Sequence, residues 1–313
     1  MNLIGDWRYV WSPSSSWTID SSHVLVYSYV DQAEIDTFGD VTTRYETITH
    51  GWLGQSIRTN YRITSRVPLH PAAGDINADF TSSLATASNL SHAALSFVHG
   101  GLAFGYPDLT PYPSRINTLG ASLVGKLVDR TPLIEPYPPS TVKPVLPSTV
   151  TAEEIELNGV EGPYWARDWA EDETVEMCQK VEQVLDSIGC EKMLMGHTPL
   201  DVVSLSVFVE FRAMYLTRFI QVMSTRCDSK IVLVDTVSSS APDSGSCSFI
   251  NSQGISRGMF DSPSALEIVY TLTPTDARRT WKETQVGTAF YRGSSETLWS
   301  ESQDVVGDFQ QWH

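Results

Sequence analysis

Lys192-Met193-Leu194-Met195-Gly196-His197-Thr198-Pro199 is a short apolar run broken by a glycine, an imidazole and a proline. The run reads as a buried strand, and the break sets His197 where that strand gives way to a loop. About a hundred residues upstream, Leu95-Ser96-Phe97-Val98-His99-Gly100-Gly101 repeats the arrangement. Here two glycines let the backbone turn sharply beside a bound ion. Taken singly, a histidine in such a place is more often a satisfied, partly buried side chain than a ligand. Two in the same setting suggest one metal pocket.

The rest of the chain reads as α/β around these strands. Residues 57–67 alternate apolar and polar side chains as a strand does, and residues 230–234 and 265–272 read as two further strands, the first ending at Asp235. Ile116, Leu119, Leu123 and Leu127 give residues 114–127 an amphipathic helical spacing, with Ser114 as candidate cap. Residues 173–188 repeat it through Val175, Cys178, Val181, Val184, Leu185 and Ile188, with Gly189 as the stop. Residues 132–147 are rich in proline and read as an extended loop. Residues 294–313 are polar and read as a tail without fixed structure.

Between the histidine motifs lie Tyr112-Pro113-Ser114-Arg115-Ile116-Asn117-Thr118-Leu119-Gly120 and Gly162-Pro163-Tyr164-Trp165-Ala166-Arg167-Asp168-Trp169-Ala170. This order of motifs resembles the calcineurin-like metallophosphoesterases, above all the Shewanella-like protein phosphatases and their fungal relatives, from Gly5 to about Gly293. The resemblance implies a sandwich of two mixed sheets flanked by helices and hydrolysis of a phosphomonoester at two divalent ions, Mn, Fe or Zn. It makes His99 and His197 the two histidines of the second metal. Arg167 becomes the phosphate-binding guanidinium, its alternative being an ordinary surface arginine. Asp235 would hold a ligating imidazole from behind, or simply cap its loop. The implied substrate is a phosphorylated small molecule or a phosphoprotein.

The chain also departs from the family. Gly-Asp-x-His, Gly-Asp-x-x-Asp-Arg and Gly-Asn-His-Glu motifs precede, in the family, the segment that is here Gly5-Asp6-Trp7-Arg8-Tyr9-Val10. The expectation is therefore a fold incomplete at its N-terminus. It lacks the first metal's ligands, the bridging aspartate, the asparagine of the second metal and the histidine that protonates the leaving group, so the catalytic residues are unknown and activity is expected to be negligible. Asp75, Asp79 and Asp108 lie in loop-like sequence without histidines at ligand spacing and do not replace them. What remains is read as a phosphoesterase part over residues 1–293, or as a non-catalytic remnant binding phosphate or a protein partner.

Three segments, at about 11–30, 202–221 and 237–253, interrupt the family-like sequence. The last two begin with valine, whose codons start with GT, and end with glutamine, one of whose codons ends in AG, as a short in-frame intron does when translated. The alternative is genuine surface insertions, which loops tolerate. Within the second, Glu210 and Arg212 fall near the middle of an apolar stretch and argue against a membrane span.

A net charge of −16 over 313 residues, without a basic stripe, argues against nucleic acid as a partner. Cys178, Cys190, Cys227 and Cys247 show no Cys-x-x-Cys spacing, so no zinc knuckle is indicated. Cys178 and Cys227 fall in family-like sequence and are able to pair in a secretory setting, which spacing does not establish. No charged stretch followed by an apolar core opens the chain, so no signal peptide is visible. The intron reading carries a test at the level of RNA. Sequencing the mature transcript is expected to give reads that join the codons flanking each insert, whereas transcripts that uniformly retain all three would make them real protein segments.

Overall fold

The computed structural model describes residues 62–128, 149–159, 161–172, 174–198, 201–202, 220–221, 223–235, 264–276, 278–291 and 293–309, with Thr43, Thr47, Gly51, Trp52, Gln55 and Ser56 besides. The chain divides into two compact units, one of residues 1–62 and 118–155, the other of residues 63–117 and 156–313. The first and third inserts, residues 203–219 of the second, the proline-rich stretch 132–147 and residues 57–61 of the expected strand lie outside the described residues.

In chain order the strands are β1 (Thr64–Pro68), β2 (Ala94–Val98), β3 (Lys192–Met195), β4 (Asp201–Val202), β5 (Ile220–Gln221), β6 (Ser224–Arg226), β7 (Ile231–Leu233), β8 (Ala265–Pro274), β9 (Thr280–Tyr291) and β10 (Ser294–Val306). The helices are α1 (Ser82–Ala87), α2 (Ser114–Val128), α3 (Ala152–Leu157), α4 (Asp168–Glu171) and α5 (Val175–Ile188). The fold is thus mixed α/β with two main sheets.

The larger unit holds both. A five-stranded sheet runs β1-β2-β3-β7-β6, and a three-stranded one β10-β9-β8. Strands β2, β3 and β7 are parallel, with Leu95 opposite Lys192 and Leu194 opposite Val232, whereas β1 and β6 flank them antiparallel. All four side chains of β3 and all three of β7 are buried, as central parallel strands covered on both faces require. The three-stranded sheet is antiparallel throughout, so only one of the two expected mixed sheets is mixed. Leu95, Leu194, Val232 and Trp299 form a core cluster joining the two. At the ends of the second insert, β4 and β5 pair antiparallel.

Helix α5 forms as its periodicity predicts. Thr174 caps its start by accepting the Met177 amide, Val181, Val184, Leu185 and Ile188 are buried, and Gly189 ends it in the left-handed conformation at φ 64°. The expected disulfide alternative is realised: Cys178 on α5 bonds Cys227 in the β6–β7 turn, with 5.1 Å between their Cα atoms. Lys230 pairs with Glu182 across the same gap. A cross-link over 49 positions contributes about 2–4 kcal/mol, chiefly by restricting the unfolded chain. At α2 the cap is not the Ser114 side chain. Asp79 accepts both the Ser114 amide at 2.9 Å and its hydroxyl at 2.7 Å, and Asp108 pairs with Arg115 at 2.7 Å. In the smaller unit Thr151 and Glu154 form a reciprocal capping box, and Lys126 pairs with the buried Glu154 at 2.6 Å.

The expected unstructured tail over residues 294–313 is corrected: residues 294–306 are β10, paired along its length with β9. The boundary set after residue 293 falls inside a β-hairpin. Only Trp299 and Val305 of β10 are buried, and the register shifts between Thr297 and Trp299, so neither apolar content nor a clean period of two marks the strand. Trp299 lies over Gly287, where an added Cβ would meet its ring at 2.3 Å. Substitution Gly287→Ala is expected to cost about 1–3 kcal/mol by driving the indole off the sheet, read as a lower midpoint in urea unfolding.

Candidate functional site

Three parallel strands end side by side, and their carboxyl ends carry the candidate residues. His99 follows β2, Gly196-His197 follow β3, and Val234-Asp235 follow β7. Ligands of α/β sheets gather in the crevice outside such strand ends. The Gly196 amide donates to the His99 carbonyl at 2.9 Å, and the Val234 amide to the Met195 carbonyl at 2.8 Å, which ties the three exits together. The rings of His99 and His197 lie 4.9 Å apart. His197 is also in the left-handed region at φ 64°, a conformation that costs a non-glycine residue about 1 kcal/mol or more.

The third partner arrives on a separate segment. The Gly100 amide donates to the Pro163 carbonyl at 2.7 Å, and a Cβ at Gly100 would sit 2.6 Å from the Trp165 nitrogen. The absence of a side chain there lets residues 163–167 lie against the β2 exit. Gly101, at φ 122°, makes the turn itself, and the Trp169 indole donates to the Leu102 carbonyl at 2.9 Å behind it. The glycine pair therefore serves to dock this segment as well as to turn the chain. Docking sets the Trp165 ring edge-on to His197 at 5.1 Å and brings the exposed Arg167 near enough to act on that imidazole.

The electrostatics follow from this crowding. Burial, then the Arg167 guanidinium and His99, push His197 down to about 4, while the Asp235 carboxylate opposes them. Burial lowers His99 as well, again against Asp235. Both rings are thus neutral at pH 7, with lone pairs available to a cation. Beside them the Thr198 hydroxyl is buried, the residue being 5% exposed, and has no hydrogen-bond partner among the described residues. Leaving such a group unanswered costs about 1–3 kcal/mol.

Sequence reasoning singled out His99, His197, Arg167 and Asp235; the two rings are in contact, and Arg167 and Asp235 act electrostatically on His197. It missed Trp165 and Thr198, each adjacent to or two residues from a named candidate. Metal fit is partial. A structural or catalytic ion takes three or four protein ligands, and among the described residues no group of three His, Cys, Asp or Glu side chains is placed to hold one. The two imidazoles fit as donors, but the described residues do not complete a two-ion centre.

Compared with known protein families, curated proteins and solved structures, the chain matches none.

Because His197 binds its proton less tightly folded than unfolded, it contributes stability that is present above about pH 6.5 and is lost as pH falls through about 4. Imidazole NMR titration is expected to find His197 neutral down to that range. In Gly100→Ala the 163–167 segment is displaced, so the midpoint should climb toward the ordinary value of about 6.5. An unchanged midpoint in that variant would show that Trp165 and Arg167 do not govern the ring.

Proposed function

We propose that this crevice is a phosphate-ester site of the metallophosphoesterase kind, in which His99 and His197 supply the histidine half of a metal centre and Arg167 binds the phosphate. The substrate is a phosphorylated small molecule or a phosphoprotein, and the intact centre of the class works with two divalent ions, Mn, Fe or Zn. The observation that carries the reading is the pairing of two neutral imidazoles, 4.9 Å apart at the ends of adjacent parallel strands, with the Arg167 guanidinium close enough to act on His197. The guanidinium offers paired N–H donors to phosphate oxygens. Asp235 keeps both rings more basic than burial alone would. Asp235 also borders a largely apolar cavity of about 580 Å³, lined by Phe97, Leu194, Leu266 and Ile268 among others.

The incomplete donor set among the described residues favours a second reading, a non-catalytic remnant that binds phosphate or a protein partner. Three measurements on purified, monodisperse chain separate the two. Competition with a chromophoric chelator is expected to show one weakly held Zn²⁺, lost in His99→Ala and His197→Ala. Calorimetry is expected to show inorganic phosphate binding weakened about tenfold or more in Arg167→Ala. Turnover of an aryl phosphate with Mn²⁺, Fe²⁺ or Zn²⁺ is expected to be negligible. A metal-dependent rate abolished by His197→Ala would reveal a complete centre and overturn the inactive reading. Failure to bind either ion would end the phosphoesterase reading of this chain.

A further inference from the structure

A second group of titratable side chains, remote in sequence from the histidines, lies where the three-stranded sheet meets the five-stranded one. Glu191 stands immediately before β3, its amide donating to the Ala94 carbonyl at 2.9 Å, so its backbone belongs to the five-stranded sheet. Its carboxyl faces the other sheet. Gln285 on β9 donates to Glu191 Oε2 at 3.1 Å and accepts from the Trp299 indole of β10 at 3.0 Å. Two residues before Gln285 on the same face, Glu283 is only 4% exposed. Its Oε2 accepts from Gln303 at 2.6 Å, and the Tyr270 phenol hydrogen-bonds to the same carboxylate.

The charges around these two carboxyls do not balance. Lys192 is the cation beside Glu191, but both oxygens of Glu301 already take its ammonium, at 2.8 and 2.7 Å, the ammonium lies 5.2 Å over the Trp299 ring, and Glu301 adds its own negative charge against Glu191. The remaining neighbours are neutral at pH 7: burial lowers His70, raises the Tyr270 phenol and pushes the Cys190 thiol up to about 12. The carboxylates of half-buried Glu191 and buried Glu283 repel across this seam, and a single proton removes the clash.

We infer that Glu191 is a proton-controlled latch between the two sheets, closed when its carboxyl is protonated against Glu283 and Gln285 and loosened when it ionises. Burial, reinforced by the charge on Glu283, holds Glu191 up to about 8 against an ordinary value of 4.5. The folded protein keeps a proton that the unfolded chain releases. The stability this proton contributes is therefore whole below about pH 4.5 and is lost as pH rises through about 8. The seam it guards carries Trp299 and the Lys192–Glu301 pair, and Lys192 opens the strand that ends before His197. Alkaline release thus begins at one end of β3 while the candidate site lies at the other.

Hydrogen exchange read by mass spectrometry from pH 5.5 to 8.5, corrected for intrinsic rates, tests the latch. Protection of β8–β10 is expected to fall with rising pH by up to about tenfold per unit. In Glu191→Gln, which keeps an oxygen for Gln285 but cannot ionise, the profile should be flat, and in Glu283→Gln the fall should be shallower. Should Glu191→Gln not fold, the infrared band of a protonated buried carboxyl in the unaltered chain serves instead, expected at pH 7 and gone by pH 9. Equal falls in the unaltered chain and in Glu191→Gln, or no protonated carboxyl at pH 7, would overturn the inference.

Discussion

A guanidinium without a carboxylate holds the larger unit together. Arg66 on β1 is fully buried, and its nitrogens donate to the carbonyls of Ala73 at 2.6 Å, Ser91 at 3.0 Å and Gly189 at 3.1 and 2.7 Å. Each charged hydrogen bond is worth about 1.5–3 kcal/mol, and burying the charge costs several, so the gain in stability is modest. Its effect on placement is larger. One side chain gathers the turn after β1, the turn before β2 and the Gly189 carbonyl just past the end of α5, near the negative end of the helix dipole. Phe80 covers the guanidinium at 5.4 Å and leaves room at Gly189 for nothing but hydrogen, since a Cβ there would meet its ring at 2.0 Å.

That junction decides where β3 starts, and β3 decides where His197 stands. Two residues separate Gly189 from the first residue of the strand, and four buried strand residues carry the chain to Gly196. The Cys178–Cys227 bond and the Glu182–Lys230 pair hold the other side of the same helix to the turn that feeds β7. The three exits around the crevice are therefore set by contacts at the opposite end of the strands. This is why a site whose own residues are crowded, one of them in a strained conformation, remains organised.

Much of this was legible in the chain, because burial on both faces and helical spacing leave marks in sequence. The apolar runs at 95–98 and 192–195, the heptad-like spacing before Gly189 and the two histidines at strand ends were read directly from residue types. The three-stranded sheet was legible only at β8. Along β10 most side chains face solvent, a bulge breaks the alternation, and its one large anchor is Trp299, so a strand looks like a polar tail. The uses of Asp79 as a helix cap and of Glu191 as an inter-sheet carboxyl depend on partners 35 and 94 positions away, which no local pattern contains. Trp165 and Thr198 were hidden for a related reason. What makes each matter is the loop brought against it.

On the proposed reading the site would take a cation and an anion together, and its two halves oppose each other. Arg167 and burial keep His197 from accepting a proton, which preserves a lone pair for a metal but leaves two neutral rings beside an exposed positive charge. An anion beside Arg167 cancels the guanidinium's effect, and with it one of the terms that depress His197. Phosphate and a cation bound to the imidazole should then favour each other, since any free energy that the first contributes to the second is returned in equal measure. Asp235 already supplies part of that compensation from behind the rings. On the proposed reading the carboxylate, the imidazoles and the guanidinium would act together, so that the affinity for each ion would depend on the presence of the other.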